Sequence, residues 1–209
     1  MTNVVSEPGK PPGDVRVHAI VLAAGQSLRM GETNKLLVQL DGMALVRHVV
    51  EAARASKVAG ITVVSGFQAE DVVRALDGLD VAYSQNPDFA DGLASSLRCG
   101  ISCVPSDCAG AIILLGDMPR ITGVMINHML DEFERTQCNT IIQATDHGVR
   151  GNPVVWPEKY FDALKKVTGD VGGRHLIEEN AENVIAVELG AAARLDIDTP
   201  EMLGNFKQR

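Results

Sequence analysis

Residues 18–35, His18-Ala19-Ile20-Val21-Leu22-Ala23-Ala24-Gly25-Gln26-Ser27-Leu28-Arg29-Met30-Gly31-Glu32-Thr33-Asn34-Lys35, run from an apolar stretch into a loop of small and charged residues. The apolar part, with Val17, reads as a buried strand over 17–23. Small residues let backbone N–H groups come close to a ligand. Successive N–H groups can form a concavity that holds an anion. Arg29 and Lys35 add fixed positive charge where phosphates would sit. The loop is therefore suited to a triphosphate. It is not a Walker loop, since Gly31 is followed by Glu32, and Gly25-Gln26-Ser27 breaks the dinucleotide fingerprint.

Outward from the loop, strand and helix patterns alternate. Asp41-Gly42 predicts a turn, followed by a helix over 43–54 with Leu45, Val49 and Ala52 at helical spacing. Strands are expected at 60–65, 79–83, 109–115, 139–144, 153–156, 184–187 and 194–197. Helices are expected at 69–76, 93–101, from Thr122 as N-cap to about 135, from Pro157 onward, and briefly at 199–201. The run 109–115 is apolar throughout, as in a central strand covered on both faces. Repeated strand–helix–strand units imply an α/β fold with a mostly parallel sheet and helices on both faces. Ligands of such sheets bind at the carboxyl ends of the strands. Residues 15–209 read as one domain. Residues 1–14, rich in proline and glycine and without an apolar core, read as a disordered leader and not as a targeting signal.

The chain has 209 residues, 45% hydrophobic and only 4% aromatic, so an aliphatic core is expected. The net charge of -8 argues against a general nucleic-acid binder, which needs a basic surface. No apolar run is long enough to span a membrane. Four scattered cysteines, Cys99, Cys103, Cys108 and Cys138, suit a reducing, cytoplasmic setting. The five histidines show no metal-ligand spacing.

Asp117, in Leu115-Gly116-Asp117-Met118-Pro119, directly follows the most apolar strand. A carboxylate at that place requires a partner or a metal, because an unpaired buried charge is costly. Asp198, in Leu195-Asp196-Ile197-Asp198, would add a second carboxylate at the same sheet edge. Mg²⁺ commonly takes one or two carboxylates together with substrate phosphates and water. Gly92 precedes a helix whose first turn carries Ser95 and Ser96, hydroxyls that suit a base or ribose edge.

The loop resembles the L-A-A-G-x-S-x-R-M-G signature of nucleotidyltransferases of the MobA-like family. Gly116-Asp117-Met118-Pro119, the Gly92-Leu93…Ser96-Leu97 segment, Gly151-Asn152-Pro153 and Gly169-Asp170-Val171-Gly172-Gly173-Arg174 are similar to further segments of its molybdenum cofactor cytidylyltransferase branch. Two departures from that branch are Asn152 in place of a common histidine and Gly173 in place of alanine.

The resemblance implies a Rossmann-like domain that moves CMP from CTP to the terminal phosphate of molybdopterin. It implies Mg²⁺ on Asp117 and Asp198, and Arg29, Lys35 and Asp117 as catalytic residues. Leu22, Ala23, Ala24, Gly25, Ser27, Arg29, Met30, Gly31, Lys35, Ser65, Gly66, Gly92, Ser95, Ser96 and Asp117 would hold the nucleotide. Asn152, Asp170, Gly172, Gly173 and Arg174 would hold the acceptor. A molybdenum hydroxylase would receive the product. Ala24 favours CTP, since the guanylyl branch usually carries a second glycine after Leu-Ala. A guanylyltransferase, a transferase acting on another phosphate acceptor, and a non-catalytic cofactor carrier stand as the alternatives.

Overall fold

The computed structural model describes residues 15–26, 34–169 and 172–196. In chain order the strands are β1 (Val17–Ala23), β2 (Gln39–Leu40), β3 (Met43–Ala44), β4 (Gly60–Ser65), β5 (Ala82–Gln85), β6 (Gly110–Leu115), β7 (Ile141–Asp146), β8 (Val149–Pro157) and β9 (Val184–Glu188). The α-helices are α1 (Leu45–Arg54), α2 (Ala69–Ala75), α3 (Leu93–Ser102), α4 (Gly123–Arg135), α5 (Phe161–Leu164) and α6 (Arg174–Glu179). Seven strands form one sheet in the order β5-β4-β1-β6-β8-β7-β9, and β2 and β3 form a separate hairpin. β1 pairs in parallel with both β4 and β6, β4 with β5, and β7 with β9. β8 runs antiparallel to its neighbours β6 and β7. The architecture is the expected single α/β domain with a mostly parallel sheet.

Strand alternation divides the core into two layers. Val17, Ala19, Val21 and Ala23 of β1 join Val46, Val49 and Val50 of α1 and Ile126, Met129 and Phe133 of α4 on one face. Ile20 and Leu22, between them in sequence, join Ala94, Leu97 and Ile101 of α3 and Phe161 and Leu164 of α5 on the other. A strand buried on both faces cannot show a polar–apolar alternation, which is why β1 and β6 read as continuous apolar runs. Thr122 caps α4 as expected, its hydroxyl accepting from the Met125 N–H at 3.3 Å. Gly110 permits the close approach of layers, since a Cβ there would lie 2.7 Å from both the Trp156 carbonyl oxygen and the Phe133 ring.

Several boundaries differ from expectation. Met43 and Ala44 are strand residues, because Asp41 (φ 51°) and Gly42 (φ 79°) turn the chain back on Gln39–Leu40. Positive φ at both central residues is the hairpin geometry that Asp-Gly favours. The fifth strand starts at Ala82, not Leu79. Pro157 ends β8, and the Glu158 N–H donates to the Ala109 carbonyl at 2.9 Å before the short helices begin. Arg194 is not in a strand: Gly190–Ala193 forms a 3-10 turn, and the Arg194 and Leu195 N–H groups donate to Ala191. Those donors are thereby taken from any ladder. Ile197 and the expected 199–201 helix lie outside the described residues, as do residues 1–14. No helix of the described residues is long and apolar enough to cross a membrane.

His18 sits in β1, buried, and shares a hydrogen bond of 2.8 Å with the Thr62 hydroxyl. Burial holds its imidazole below the ordinary histidine range. The unfolded chain therefore binds this proton more readily than the folded one. The stability His18 contributes is full at neutral pH and falls as the pH drops through the unfolded value of about 6.5. Urea unfolding of the His18→Gln variant is expected to show a smaller loss of stability between pH 7.5 and 5.5 than the wild type. The Gly110→Ala variant is expected to lose about 1–3 kcal/mol in the same assay at pH 7.5, from overpacking against Phe133 and the Trp156 carbonyl.

Candidate active site

The carboxyl ends of β1, β4 and β6 meet at one point. The Gly116 N–H, just past β6, donates to the Leu22 carbonyl at 3.0 Å. The Phe67 N–H, just past β4, donates to the Ala24 carbonyl at 3.2 Å. Gly66 fits this junction only without a side chain, since a Cβ would stand 2.8 Å from the Ala24 Cβ and 2.9 Å from its carbonyl oxygen. Ser65, buried, ends β4, and its carbonyl accepts from the Asn86 N–H at 2.8 Å. Gly25 faces open space, with nothing within 4 Å of a notional Cβ.

Phe67 also secures the far end of the loop. The buried Asn34 side chain accepts from the Leu36 N–H at 3.1 Å and donates to the Phe67 carbonyl at 3.4 Å. One backbone residue thus ties down both Ala24 and Asn34. Ser27, Arg29, Met30 and Gly31, which fall between those two anchors, lie outside the described residues.

Asn34 caps the 3-10 turn Lys35–Leu37, which delivers Lys35 to Asp117. The Lys35 ammonium meets Oδ2 of Asp117 at 2.5 Å, with both side chains mostly buried at 17% and 13% exposure. Among the described residues, Oδ1 of Asp117 is the single buried side-chain oxygen or nitrogen without a hydrogen-bond partner. Burying an ion pair is stabilising only when the remaining lone pairs are satisfied. An orphaned carboxylate oxygen beside a paired one is therefore suited to a further cation. Asp198, the expected second carboxylate, lies outside the described residues, and among those described no group of three His, Cys, Asp or Glu could hold a metal.

A second cluster lies at the start of α3. Gly92 has φ 91° and ψ −175°, a backbone region that glycine alone adopts easily. Ser95 and Ser96 are buried, and their hydroxyl oxygens accept from the Asn86 amide at 2.8 and 3.1 Å. The Ser95 hydroxyl donates in turn to the Gly92 carbonyl at 2.8 Å. The serines thus brace the segment after β5, with Asn86 as its hub. In sequence Asn86 is marked only by the proline that follows it. The Ala94 N–H is bonded to the Gly169 carbonyl at 3.2 Å, linking α3 to the 165–169 segment.

Beside this junction opens a cleft of about 710 Å³. Leu22 connects it to the loop strand, and Asn152, Gly172, Gly173 and Arg174 line it together. Four of the five expected acceptor residues therefore converge, and the fifth, Asp170, lies outside the described residues. Leu97, Ile113, Val154, Trp156 and Ile177 give the cleft an apolar floor. Gly173 packs on the Trp156 ring, 2.8 Å from a notional Cβ, which accounts for glycine there. Arg150 and Arg194 also line the cleft, and no carboxylate does so among the described residues. Neither arginine stood out in sequence, since each is a lone charge in a turn-rich segment.

Residues 19–184 match the MobA-like NTP transferase domain. The bifunctional protein GlmU of Bacillus licheniformis is 31% identical over 155 residues, covering 73% of this chain and 32% of its own length. The chain spans between about a fifth and a third of the length of the curated relatives it matches. Among solved structures, the Rv0371c homologue from Mycobacterium sp. strain JC1 superposes with a TM-score of 0.78 at 29% identity, covering 92% of this chain and 98% of that one. Rv0371c of Mycobacterium tuberculosis, solved in complex with manganese, superposes with a TM-score of 0.76 at 22% identity, covering 93% of this chain and 99% of that one. With most of its length matched by that domain, the chain belongs to the MobA-like NTP transferase family.

Proposed function

We propose that this nucleotidyltransferase transfers CMP from CTP to the terminal phosphate of molybdopterin and releases pyrophosphate. The observation that carries the reading is the Lys35–Asp117 pair, with its unpartnered carboxylate oxygen, two residues along the chain from Leu115, which with Leu22 lines an apolar-floored cleft that also carries arginines. The pair and the anchored loop suit a triphosphate, and the cleft suits a ring system bearing a phosphate. A sugar phosphate would call for more uncharged polar side chains than Gln143 and Asn152, the two that line this cleft.

In this reading an oxygen of the acceptor phosphate attacks the α-phosphorus of CTP. The bond from that phosphorus to the bridging oxygen breaks, and its electron pair leaves with pyrophosphate. The attacking group is already an anion, so no general base is required. The chain supplies position and charge compensation, which is most of what such transfers need. Arg29 and Lys35 would hold the β- and γ-phosphates and offset the charge that builds on pyrophosphate. Arg174 would hold the acceptor. Asn152 cannot act as an acid or base near neutral pH and would orient the acceptor. The residues present fit a divalent cation: Asp117 would hold it through Oδ1, joined by Asp198, with phosphates and water completing the shell. Bound there, Mg²⁺ would neutralise charge on the α-phosphate and the departing pyrophosphate. The manganese complex of Rv0371c supports divalent metal use in this fold.

The preference for CTP rests on Ala24, a buried residue at a position where the guanylyl branch usually carries glycine. Delivery of the product to a molybdenum hydroxylase follows from the same reading, as does a cytoplasmic location. Pyrophosphate release, measured with Mg²⁺, molybdenum-loaded molybdopterin and each of CTP, GTP, ATP and UTP, tests the proposal. Turnover is expected with CTP alone. Turnover with GTP would reassign the base, and turnover with none of the four would overturn the acceptor and favour a carrier.

A further inference from the structure

Two cationic side chains at the outer part of the cleft have no role in the chemistry above. Arg150 belongs to β8, just after the turn from β7, and Arg194 follows the 3-10 turn after β9. Both line the cleft, and neither forms an ion pair or side-chain hydrogen bond among the described residues. Arg174, in contrast, already donates to Glu178 at 3.2 Å. In a chain of net charge -8, two unpaired guanidinium groups on one cleft wall free of described carboxylates are unlike the surface elsewhere, where arginines pair with neighbouring acids.

The backbone brings these two arginines to the same wall from distant parts of the chain. Gly151, next to Arg150, lies against the Ala193 carbonyl, next to Arg194, so closely that a Cβ on residue 151 would collide with that oxygen. Glu188 fixes both segments at once. One of its oxygens accepts from the His147 N–H at 2.8 Å and the Gly190 N–H at 3.2 Å. The other accepts from the Thr145 hydroxyl at 2.9 Å and the Gly148 N–H at 3.3 Å. The β7–β8 turn and the turn leading to Arg194 are thereby held to one carboxylate. Those bonds also keep the Glu188 carboxyl below the usual carboxylate range, the His147 N–H contributing most. Guanidinium groups suit planar, bidentate recognition of anionic oxygens.

We infer that Arg150 and Arg194 form a second anion subsite, which receives an anionic oxygen-bearing group of the acceptor separate from the phosphate that is nucleotidylated. The inference rests on reading this cleft as the acceptor side, but not on the acceptor being molybdopterin. The acceptor is then a molecule with two anionic ends separated by an apolar or flat body that lies over Trp156 and Val154. Arg150 and Arg194 select it against acceptors that carry one anion only.

Trp156 is the sole tryptophan of the chain and lines the cleft, so its fluorescence reports occupancy without turnover. The probes are phenyl phosphate and 4-carboxyphenyl phosphate, which share an aromatic body and one phosphate and differ by one carboxylate. The wild type is expected to bind the carboxylated probe at least about tenfold more tightly, as one added charge-assisted contact allows. Arg150→Gln and Arg194→Gln are each expected to erase most of that preference while leaving phenyl phosphate binding unchanged, which also shows that the variants fold. Equal affinity for the two probes in the wild type, a preference that survives in both variants, or no saturable response to either probe would overturn the inference. A preserved preference in a protein that fails to use molybdopterin would refute the molybdopterin reading and leave this subsite standing.

Discussion

The ion pair between Lys35 and Asp117 is the constraint on which the candidate site depends. It joins the end of the loop after β1 to the end of β6, a strand covered on both faces, and it does so in a partly dry place where charges interact strongly. A pair in such a place is held by geometry, and here the geometry has two supports. The carboxylate is fixed by Gly116, whose N–H bonds to Leu22 and whose missing side chain makes room for Leu36. The ammonium is fixed by Asn34, which caps the turn bearing Lys35 and reaches across to Phe67. Phe67 in turn holds Ala24, so the loop's two ends and the exit of β4 form one bonded unit. A nucleotide meeting this loop would find its anchors already in place, which lowers the ordering cost of binding.

Much of this arrangement was legible in sequence, for identifiable reasons. β1 and β4 fell within their expected limits because buried parallel strands leave an uninterrupted apolar or β-branched signal bounded by small residues and turns. Asp117 stood out because a carboxylate directly after such a strand is costly unless it has work to do. The cleft was visible in part: Asn152, Gly172, Gly173 and Arg174 do meet, although they come from a strand, a turn and a helix. The hydrogen-bonding roles of Ser95 and Ser96 were not visible, since both depend on Asn86, a residue brought there by the turn after β5. Asn34 was likewise hidden, because a side chain bonding to a carbonyl 33 residues away leaves no local pattern. The antiparallel course of β8 was missed for a related reason. Its reversal is made by His147 (φ 49°) and Gly148 (φ 77°), and a strand's composition says little about its direction.

The same logic explains why the arginines of the cleft went unread. Charge in a sequence is read as surface unless spacing groups it, and Arg150 and Arg194 are grouped only by the fold. The contact of Gly151 with Ala193 does the grouping, and it also gives Gly151 a reason that a turn assignment does not. An acidic chain can thus present a basic cleft, because electrostatic fields are set by local arrangement more than by net charge.

The central claim is that Asp117 holds a divalent cation through the oxygen that has no partner within the fold. Electron paramagnetic resonance of Mn²⁺, titrated with the protein without nucleotide, tests this directly, because bound Mn²⁺ loses the sharp signal of the free ion. The account predicts one bound ion for the wild type and at least a tenfold weaker affinity for Asp117→Asn, with unchanged circular dichroism. Equal Mn²⁺ affinity for the wild type and a folded Asp117→Asn variant would contradict it.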